Sequence, residues 1–445
     1  MDIRLGVVRG IQYGLIDKPD TFAPQARELG AGLVRVFFYW SQLEPEPGRY
    51  DWSAVDAVLG QVDDGTELWF TLGASSPWGS TRATDLLPAS PPLDPAAYAA
   101  MLRALVGHCR GRVRHWQCEN EPSNALFWAG TAADYVAHLQ GFHQAVKSAD
   151  PDATVVLGGC PPGVFPAPDR PDGEREFFLQ VIDEGRDAYD VFDIHLYGDP
   201  YLIPRTIEDA RAAVGDKPVV VGEYNGPLPL QFPEVFEHLT EVIEAGAIQP
   251  WHRLTVQDLF DGTFTPEPVH AAMKRLYDRM AELPPALQMF MTGCPEELEA
   301  RRHRLNADDL LIRNMLALSC GIRLTVCWQL GPDTPEPPEP YDFLQLLFSK
   351  FQLMAFEGDS LSVRHPCADA FAELSSRLAG AADVRRVEVP GRPDAYVFEL
   401  VGTGVEVAWL RPSSPSSPSA PELPALVRNG ATLTSRPQFT CAAEW

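Results

Sequence analysis

The chain has 445 residues, which is longer than one ordinary compact core, although a single α/β barrel can exceed about 250 residues. Its 36 basic and 61 acidic residues give a formal net charge of −25. This balance argues against nucleic acids and anionic membranes as partners, because both require a basic surface. The 45% hydrophobic content excludes a disordered chain, and the 42 prolines indicate many rigid loops.

No targeting or metal-binding segment stands out. Met1–Arg4 lacks the charged and then apolar region of a signal peptide, so we expect a cytoplasmic protein, or a secreted one if a leader has been removed. No run approaches the ~18 apolar residues of a membrane-spanning helix. Eight scattered cysteines form no C-x-x-C pair, and we expect mostly small buried side chains, with disulfides left open. Neither a metal nor a cofactor is expected.

Seven strand-like runs alternate with helix-like runs in the first half of the chain. The strand-like runs are Arg4–Arg9, Leu33–Trp40, Glu67–Gly73, Val113–Glu121, Thr154–Gly159, Val191–Tyr197 and Pro218–Tyr224. The helix-like runs are Phe22–Leu29, Trp52–Val62, Pro95–Cys109, Thr131–Ser148, Glu174–Glu184 and Thr206–Val214. Such alternation is typical of parallel βα units. With an eighth strand at Ile322–Leu330, the pattern predicts an α/β fold, a (β/α)8 TIM barrel.

The segment between the seventh and eighth strands is far longer than a usual loop. It contains four helix-like runs, Glu234–Ala245, Pro268–Leu283, Pro295–Arg304 and Asp308–Cys320. We expect the last of these to be the seventh barrel helix and residues of about 247–305 to form a helical insertion. A final helix at Asp342–Phe356 would complete a catalytic barrel over residues 1–358.

The composition changes after residue 358, and residues 359–445 are predicted to form a small C-terminal antiparallel β domain. The short strand-like runs there are Val384–Val389, Ala395–Val401, Val405–Leu410 and Arg428–Leu433. A loop of low complexity, rich in proline and serine, lies between Leu410 and Leu426.

Two glutamates end predicted strands at the same face of the barrel. Glu121 belongs to an Asn-Glu-Pro tripeptide after the fourth strand, and Glu223 ends the seventh. A barrel carries its reactive groups at the carboxyl ends of its strands. Glycosidic-bond cleavage uses such a pair, in which one carboxyl protonates the leaving oxygen and the other attacks or stabilises the anomeric carbon. One glutamate alone would more simply be a solvated loop residue, but the pair favours catalysis.

Further polar groups fall at other strand ends. Arg35 could hold a carboxylate in its ionised form through a charge-assisted hydrogen bond. His195 and Tyr197 share one side of the sixth strand, where a phenol could donate to the nucleophile and an imidazole could bind a sugar or tune a carboxylate. A lone barrel histidine is also common as a satisfied core residue.

Four tryptophans lie near the same rim and are candidates for stacking against the apolar face of a sugar ring. Trp328 ends the eighth strand, and the others follow the second, third and fourth strands: Trp40, Trp78 and Trp128. Each of them could also simply be packed in the core.

The motifs resemble those of clan A glycoside hydrolases and are most similar to glycoside hydrolase family 39. The similar runs are Asn120–Asn124 (NEPSN), Phe127–Thr131 (FWAGT), Ala149–Pro151 (ADP), Val155–Gly159 (VVLGG), Phe192–Tyr197 (FDIHLY) and Pro218–Asn225 (PVVVGEYN). The likeness covers roughly residues 30–330. A barrel followed by a small β domain is also similar to that family.

The resemblance implies a retaining double displacement. In it, Glu121 matches the acid/base, Glu223 the nucleophile and Asn120 the residue that contacts the sugar 2-hydroxyl. Arg35 matches the arginine beside the nucleophile, and Tyr197 matches the hydrogen-bond donor to the nucleophile. Trp328 matches the aromatic platform under the sugar.

Glu119 departs from the family pattern, because tryptophan usually stands two residues before the acid/base. Strand alternation would put Glu119 on the same side as Glu121, one layer deeper. We expect a buried salt bridge, for which Arg35 is one candidate partner, and a role in tuning the proton of the site is the alternative.

Two functions of different classes follow. The first is a retaining glycoside hydrolase acting on an oligosaccharide or small glycoside, and the second is a carbohydrate-binding barrel without catalysis. A Schiff-base aldolase is disfavoured because no lysine ends a strand, and a metal hydrolase because no histidine cluster does. The sugar, the choice between exo and endo action and the oligomeric state stay open.

Overall fold

The computed structural model describes residues 2–16, 19–63, 65–166, 173–247, 254–261, 265–334, 339–412 and 425–441. None of the helices in these ranges combines the length and the apolar character needed to cross a membrane. The seven cysteines from Cys109 to Cys367 have free thiols, and the side chain of Cys441 lies outside the description.

Eight parallel strands form the central sheet. They are β1 (Arg4–Val8), β2 (Leu33–Tyr39), β3 (Glu67–Gly73), β4 (His115–Cys118), β5 (Thr154–Val156), β6 (Phe192–Leu196), β7 (Val219–Tyr224) and β8 (Leu324–Cys327). Their order is β5-β4-β3-β2-β1-β8-β7-β6, with β1 and β8 paired in parallel. Parallel bridges from Val156 to Val191 and from Cys160 to Ile194 join the β5 and β6 sides. The sheet therefore closes, and the predicted TIM barrel is confirmed.

Helices alternate with the strands and continue into the C-terminal part. They are α1 (Ala23–Glu28), α2 (Trp40–Leu43), α3 (Ser53–Leu59), α4 (Pro95–Cys109), α5 (Ala132–Ala149), α6 (Gly173–Glu184), α7 (Ile203–Val214), α8 (Pro233–Glu244), α9 (Val256–Asp261), α10 (Glu267–Asp278), α11 (Pro285–Gln288), α12 (Glu296–Ser319), α13 (Phe343–Phe348) and α14 (Pro366–Leu378). Single 3₁₀ turns occur at Arg186–Ala188, Pro200–Leu202, Pro229–Gln231 and Met280–Glu282.

The sequence explains why α5 begins where it does. The Thr131 hydroxyl accepts from the Asp134 N–H, and the Asp134 carboxylate accepts from the Thr131 N–H, which is a complete capping box. Tyr135, Leu139 and Phe142 then fall on one buried face at helical spacing. The cap and this face hold α5 against the barrel next to the end of β4.

Two apolar layers make the barrel. Strand residues alone form the inner cluster, Val8, Leu33, Phe37, Trp69, Val156, Leu324 and Val326. A much larger cluster joins the outer faces of the strands to the surrounding helices. Burial on both faces explains why these strands read as nearly continuous hydrophobic runs rather than as alternating ones.

The long segment after β7 carries an apolar core of its own. Its buried members on α8, α10 and α11 include Val235, Leu239, Val269, Met273 and Leu287, and they pack with Phe343 and Leu346 of α13, which follows β8. Part of this segment also reaches the loop after β3, where Leu254 pairs with Leu87 in an antiparallel bridge. Leu254 packs there with Tyr39, Leu86 and Leu87. The bridge therefore connects the insertion to the carboxyl-end rim of the barrel.

Two helix predictions are wrong. Pro295–Arg304 and Asp308–Cys320 belong to one continuous helix of 24 residues, α12. The final helix expected at Asp342–Phe356 covers only Phe343–Phe348, because the chain then turns into strand β9 (Met354–Glu357), paired with β10 (Ser360–Arg364). The unpredicted helix α14 follows, and its buried Phe371 and Leu374 belong to the barrel's outer cluster.

The predicted antiparallel sheet is present after the barrel. It contains β11 (Asp383–Arg386), β12 (Ala395–Val401), β13 (Val405–Leu410) and β16 (Gln438–Cys441), in that order. Arg428–Leu433 was expected to supply its last strand, but that run forms a separate hairpin of β14 (Val427–Arg428) and β15 (Ala431–Thr432). Most of the proline- and serine-rich loop, residues 413–424, lies outside the described residues.

Candidate active site

Glu223 lies near the end of β7 and its carboxylate is held on both oxygens. Arg35 Nη1 donates to Oε1 at 2.8 Å, and the Tyr197 hydroxyl donates to Oε2 at 2.9 Å. Burial raises the pKa of the Glu223 carboxyl, while the positive charges of His195 and Arg35 oppose that shift. The side chain is therefore fixed in one orientation.

Arg35 links the ends of several strands from a fully buried position on β2. Its Nε donates to Thr71 Oγ1 at 2.9 Å, Nη1 to the Gly222 carbonyl at 3.1 Å, and Nη2 to Asn120 Oδ1 at 2.8 Å. The guanidinium lies 4.7 Å from the centre of the Phe37 ring. Its planar fork thus orients Asn120 and Glu223 together.

Glu121 and Glu223 approach each other across His195. The imidazole Nδ1 is 2.7 Å from Glu121 Oε1 and 3.5 Å from Glu223 Oε2. One donor atom from each of these three side chains lies within 4.8 Å of the other two. Asn124 Nδ2 donates to the second oxygen of Glu121 at 3.3 Å. Two carboxylates from β4 and β7 therefore share one small space.

His195 carries a positive charge in this setting. Burial opposes the charged form, but the Glu223 and Asp193 carboxylates raise the pKa of His195 to about 10. Asp193 Oδ2 lies 3.3 Å from the imidazole Nε2, and His195 in turn lowers the pKa of Asp193 despite burial. A Cβ on Gly159 would lie 2.1 Å from Nε2, so only glycine leaves room for the ring.

A buried polar network that the sequence prediction missed supports the site from below. Asp193 accepts from Gln117 Nε2 at 2.7 Å and from the Gly222 N–H at 2.5 Å. Gln117 Oε1 in turn accepts from Thr71 Oγ1 at 2.7 Å. Strand alternation could have revealed these residues. Gln117 is two positions before Glu119 and Asp193 is two before His195, so each pair is expected on one side of its strand.

The expected salt bridge between Glu119 and Arg35 is wrong. Glu119 Oε1 instead accepts from the Ala74 N–H at 2.8 Å and lies 3.1 Å from His138 Nε2 on α5. Strand β4 ends at Cys118, and Glu119 has a φ of 62°, so alternation no longer holds at this position. The side chain therefore points toward α5 rather than into the barrel.

The rim tryptophans do not all offer a ring to a ligand. Trp40 and Trp128 are 1% and 2% exposed, which corrects the expectation that they stack on a sugar. Trp40 packs edge-on against Trp78 and donates to Glu44 at 2.8 Å, and Trp128 stacks on His138. Their large apolar rings pack the loops at the rim instead.

Trp328 is half-buried at the end of β8, with its ring edge-on to Phe37 at 6.5 Å. The Asn225 side chain donates to the Trp328 carbonyl and, at 3.1 Å, to the Phe351 carbonyl. These bonds fix the backbone that carries the indole. Trp328 is therefore the tryptophan of the four that combines a strand-end position with a partly open ring and contact with the inner barrel cluster.

Within the described ranges, the one group of three His, Cys, Asp or Glu side chains with metal-ligand spacing is Glu121, His195 and Glu223. The same three side chains also place two carboxylates and an imidazole where they can exchange protons.

The barrel is similar in fold to solved structures of glycoside hydrolases, among them members of family 39. No protein-family profile and no curated protein sequence matches the chain. A family 39 glycoside hydrolase from the gut symbiont Bacteroides cellulosilyticus WH2 has a TM-score of 0.57 and 17% identity, over 98% of this chain and 80% of that one. A glucosidase from Croceicoccus marinus has a TM-score of 0.55 and 16% identity, over 98% and 81%.

A family 39 β-xylosidase from Caulobacter crescentus has a TM-score of 0.50 and 16% identity, over 92% of this chain and 76% of that one. At such identities the likeness concerns the fold. The resemblance read from the sequence is thus confirmed at that level, and the chemistry has to be argued from this chain's own residues.

Proposed function

We propose that the chain is a retaining O-glycosyl hydrolase that cleaves a β-glycosidic bond by double displacement. The observation that carries the proposal is the approach of the Glu121 and Glu223 carboxylate oxygens to within 4.8 Å. Retaining enzymes hold their two carboxyl groups about 5–5.5 Å apart, whereas inverting enzymes need roughly 6.5–9.5 Å for a water molecule. The spacing favours direct attack by one carboxylate on the sugar.

Glu223 is assigned as the nucleophile. The Arg35 guanidinium at 2.8 Å and the Tyr197 hydroxyl at 2.9 Å stabilise its ionised form against the cost of burial. In the first step a Glu223 oxygen bonds to the anomeric carbon while the glycosidic bond breaks. The product of this step is a glycosyl ester and a free aglycone.

Glu121 is assigned as the acid/base. It donates its proton to the leaving oxygen in the first step, and in the second step it takes a proton from the water that attacks the ester. This step releases the sugar and restores the Glu223 carboxylate. The positive His195, 2.7 Å from Glu121, compensates the negative charge of Glu121 whenever its proton has left.

Three further side chains are assigned to the sugar. Asn120, held by Arg35 at 2.8 Å, would contact the 2-hydroxyl, and the partly open Trp328 ring would lie under the pyranose. The third is His195, whose ring edge would contact the sugar. The proposed substrate is an oligosaccharide or a small glycoside.

The test is hydrolysis of a panel of nitrophenyl β-glycosides by the wild-type protein and by Glu223→Gln and Glu121→Gln, with product anomers followed by NMR. We expect net retention, and losses of at least about 10³-fold for Glu223→Gln. The matched control, Glu388→Gln, changes a glutamate whose side chain is 81% exposed and should keep full activity. Sugar binding by calorimetry with no product from the wild type would instead identify a carbohydrate-binding barrel.

A further inference from the structure

Glu119 and His138 form a buried side-chain contact outside the catalytic pair. Their side chains are 2% and 3% exposed, with Glu119 Oε1 3.1 Å from His138 Nε2. The same oxygen accepts from the Ala74 N–H, the first residue after β3, at 2.8 Å. One buried carboxylate therefore ties the end of β4 to both α5 and the loop after β3.

This carboxylate lies on a strained turn. Glu119 has a φ of 62° and Glu121 a φ of 39°, values that L side chains adopt rarely, and they flank Asn120. Within the described residues, Asn429 is the one other non-glycine residue with positive φ. Such strain persists only where surrounding contacts over-determine it, and it is concentrated at functional sites. The turn is what directs Asn120 and Glu121 into the barrel mouth after Cys118.

His138 is itself held firmly. Its ring stacks on Trp128 with centroids 5.4 Å apart and lies 5.0 Å from the Tyr98 ring. Burial raises the pKa of the Glu119 carboxyl, and the contacts with His138 and the Ala74 N–H oppose this shift. The other nearby titratable groups are Tyr39, Tyr98, Cys118 and Tyr135, whose own pKa values are raised. Among these side chains, His138 is the one in hydrogen-bond contact with Glu119.

We propose that Glu119 and His138 are positioning residues for Glu121. They touch neither the substrate nor the reacting atoms, and they act by holding the 119–121 turn so that the acid/base meets the leaving oxygen. This inference rests on the proposed hydrolase function and deepens it. A role that is only structural would lower every activity alike, whereas a positioning role affects the step that needs the acid.

Leaving-group dependence distinguishes the two roles. A phenyl glycoside needs protonation of its leaving oxygen, whereas a 2,4-dinitrophenyl glycoside of the same sugar does not. For Glu119→Ala we expect kcat/KM on the phenyl substrate to fall about 100-fold, within the ~10²–10⁴ supplied by general acids, and on the dinitrophenyl substrate less than about threefold. Glu119→Gln keeps an acceptor oxygen for both donors and should stay close to the wild type on both substrates.

His138→Phe keeps the ring on Trp128 but removes the donor, so it should repeat the Glu119→Ala pattern with a smaller loss. His108→Phe is the matched control, because His108 also stacks on a tryptophan (Trp52) and contacts a carboxylate (Asp56, 2.7 Å) on the outer helices. It should leave both substrates unaffected. Circular dichroism and thermal melting of each variant establish that it is folded. If Glu119→Ala does not fold, the comparison of the two substrates is made with His138→Phe.

Equal losses on the two substrates in both variants, or no loss in either, would overturn the positioning role while leaving the hydrolase in place. A wild-type protein that hydrolyses no glycoside of the panel would overturn the proposed function, and the positioning role with it.

Discussion

At the scale of single residues, the site alternates negative and positive groups inside the barrel. Glu121, Glu223 and Asp193 surround His195, and Arg35 contacts Glu223 from the opposite strand. A buried charge is tolerable only when it is paired and hydrogen-bonded. Each charge here has a partner within 3.5 Å, which explains how five ionisable groups coexist at the centre of the fold.

Asp193 is predicted to set the protonation of His195. In Asp193→Asn the amide can still accept from the Gly222 N–H, but the negative charge beside the imidazole is lost, so the pKa of His195 should fall. His195 would then lose its proton at lower pH. An NMR titration of the imidazole measures this directly.

The pH dependence of the free energy of unfolding should change with the pKa of His195. The folded-state pKa of His195, about 10, exceeds its ordinary 6.5, so its protonation stabilises the fold fully below pH 6.5 and this contribution is lost as the pH rises through about 10. Asp193→Asn should therefore have a smaller contribution of this kind, and in thermal melts the loss should be complete at a lower pH. Asp216→Asn, at an exposed loop position, is the control. An unchanged titration of the imidazole in Asp193→Asn would contradict the assignment.

Whether a site residue could be predicted from the sequence depends on whether its backbone is a regular strand. Arg35, His195 and Tyr197 lie on or directly after regular strands, so strand ends and alternation were enough to bring them together. Glu119 failed because β4 ends one residue before it, and a positive φ turns its side chain away. His138 lies on a helix, where nothing in the sequence links it to a carboxylate 19 positions earlier.

At the scale of elements, the eight barrel strands were predictable, whereas two helices and the strands β9, β10 and β16 were not. Helix α12 corresponds to two predicted helices, and Asn306 lies in the gap between them. That side chain is buried, accepts from Arg302 at 2.7 Å and donates to the Gly226 carbonyl at 2.7 Å. Tertiary partners, rather than periodicity, keep a polar residue inside this helix. The hairpin after α13 likewise depends on strand pairing, which local propensity does not reveal.

The contact between the insertion and the loop after β3 is predicted to favour short substrates. Leu254 is 5% exposed and pairs with Leu87, so this part of the insertion borders the rim on the side of β2 and β3. Leu254→Asp would bury an unpaired charge and detach the segment. We expect KM for a nitrophenyl glycoside to rise about tenfold, or about 1.4 kcal/mol of binding, while long oligosaccharides are affected less.

Steady-state kinetics on substrates of increasing length measure this effect. Leu230→Asp, at a leucine that is 40% exposed, makes the same chemical change on the surface and should alter neither KM. If Leu254→Asp changes the KM of short and long substrates by the same factor, the contact does not select for length.

At the scale of the whole molecule, the C-terminal sheet and the barrel share one apolar core. Trp409 on β13 is fully buried in the outer cluster of the barrel, and its indole donates to the Tyr201 hydroxyl at 3.0 Å. Arg436, before β16, forms an ion pair with Asp308 on α12 at 2.9 Å. The sheet is therefore expected to unfold together with the barrel rather than ahead of it.

Trp409→Ala tests this cooperativity. Removing a buried tryptophan costs roughly 3–5 kcal/mol. With an unfolding entropy of about 2.1 cal/mol/K per residue, a chain of this size should lose about 3–5 °C in Tm. Because the two parts share their core, scanning calorimetry should give a single transition, and the temperature of activity loss should fall with it. Phe236→Ala, at an aromatic ring that is 58% exposed, should leave both unchanged. A variant whose sheet melts early while activity is lost at the wild-type temperature would show that the sheet folds independently of the site.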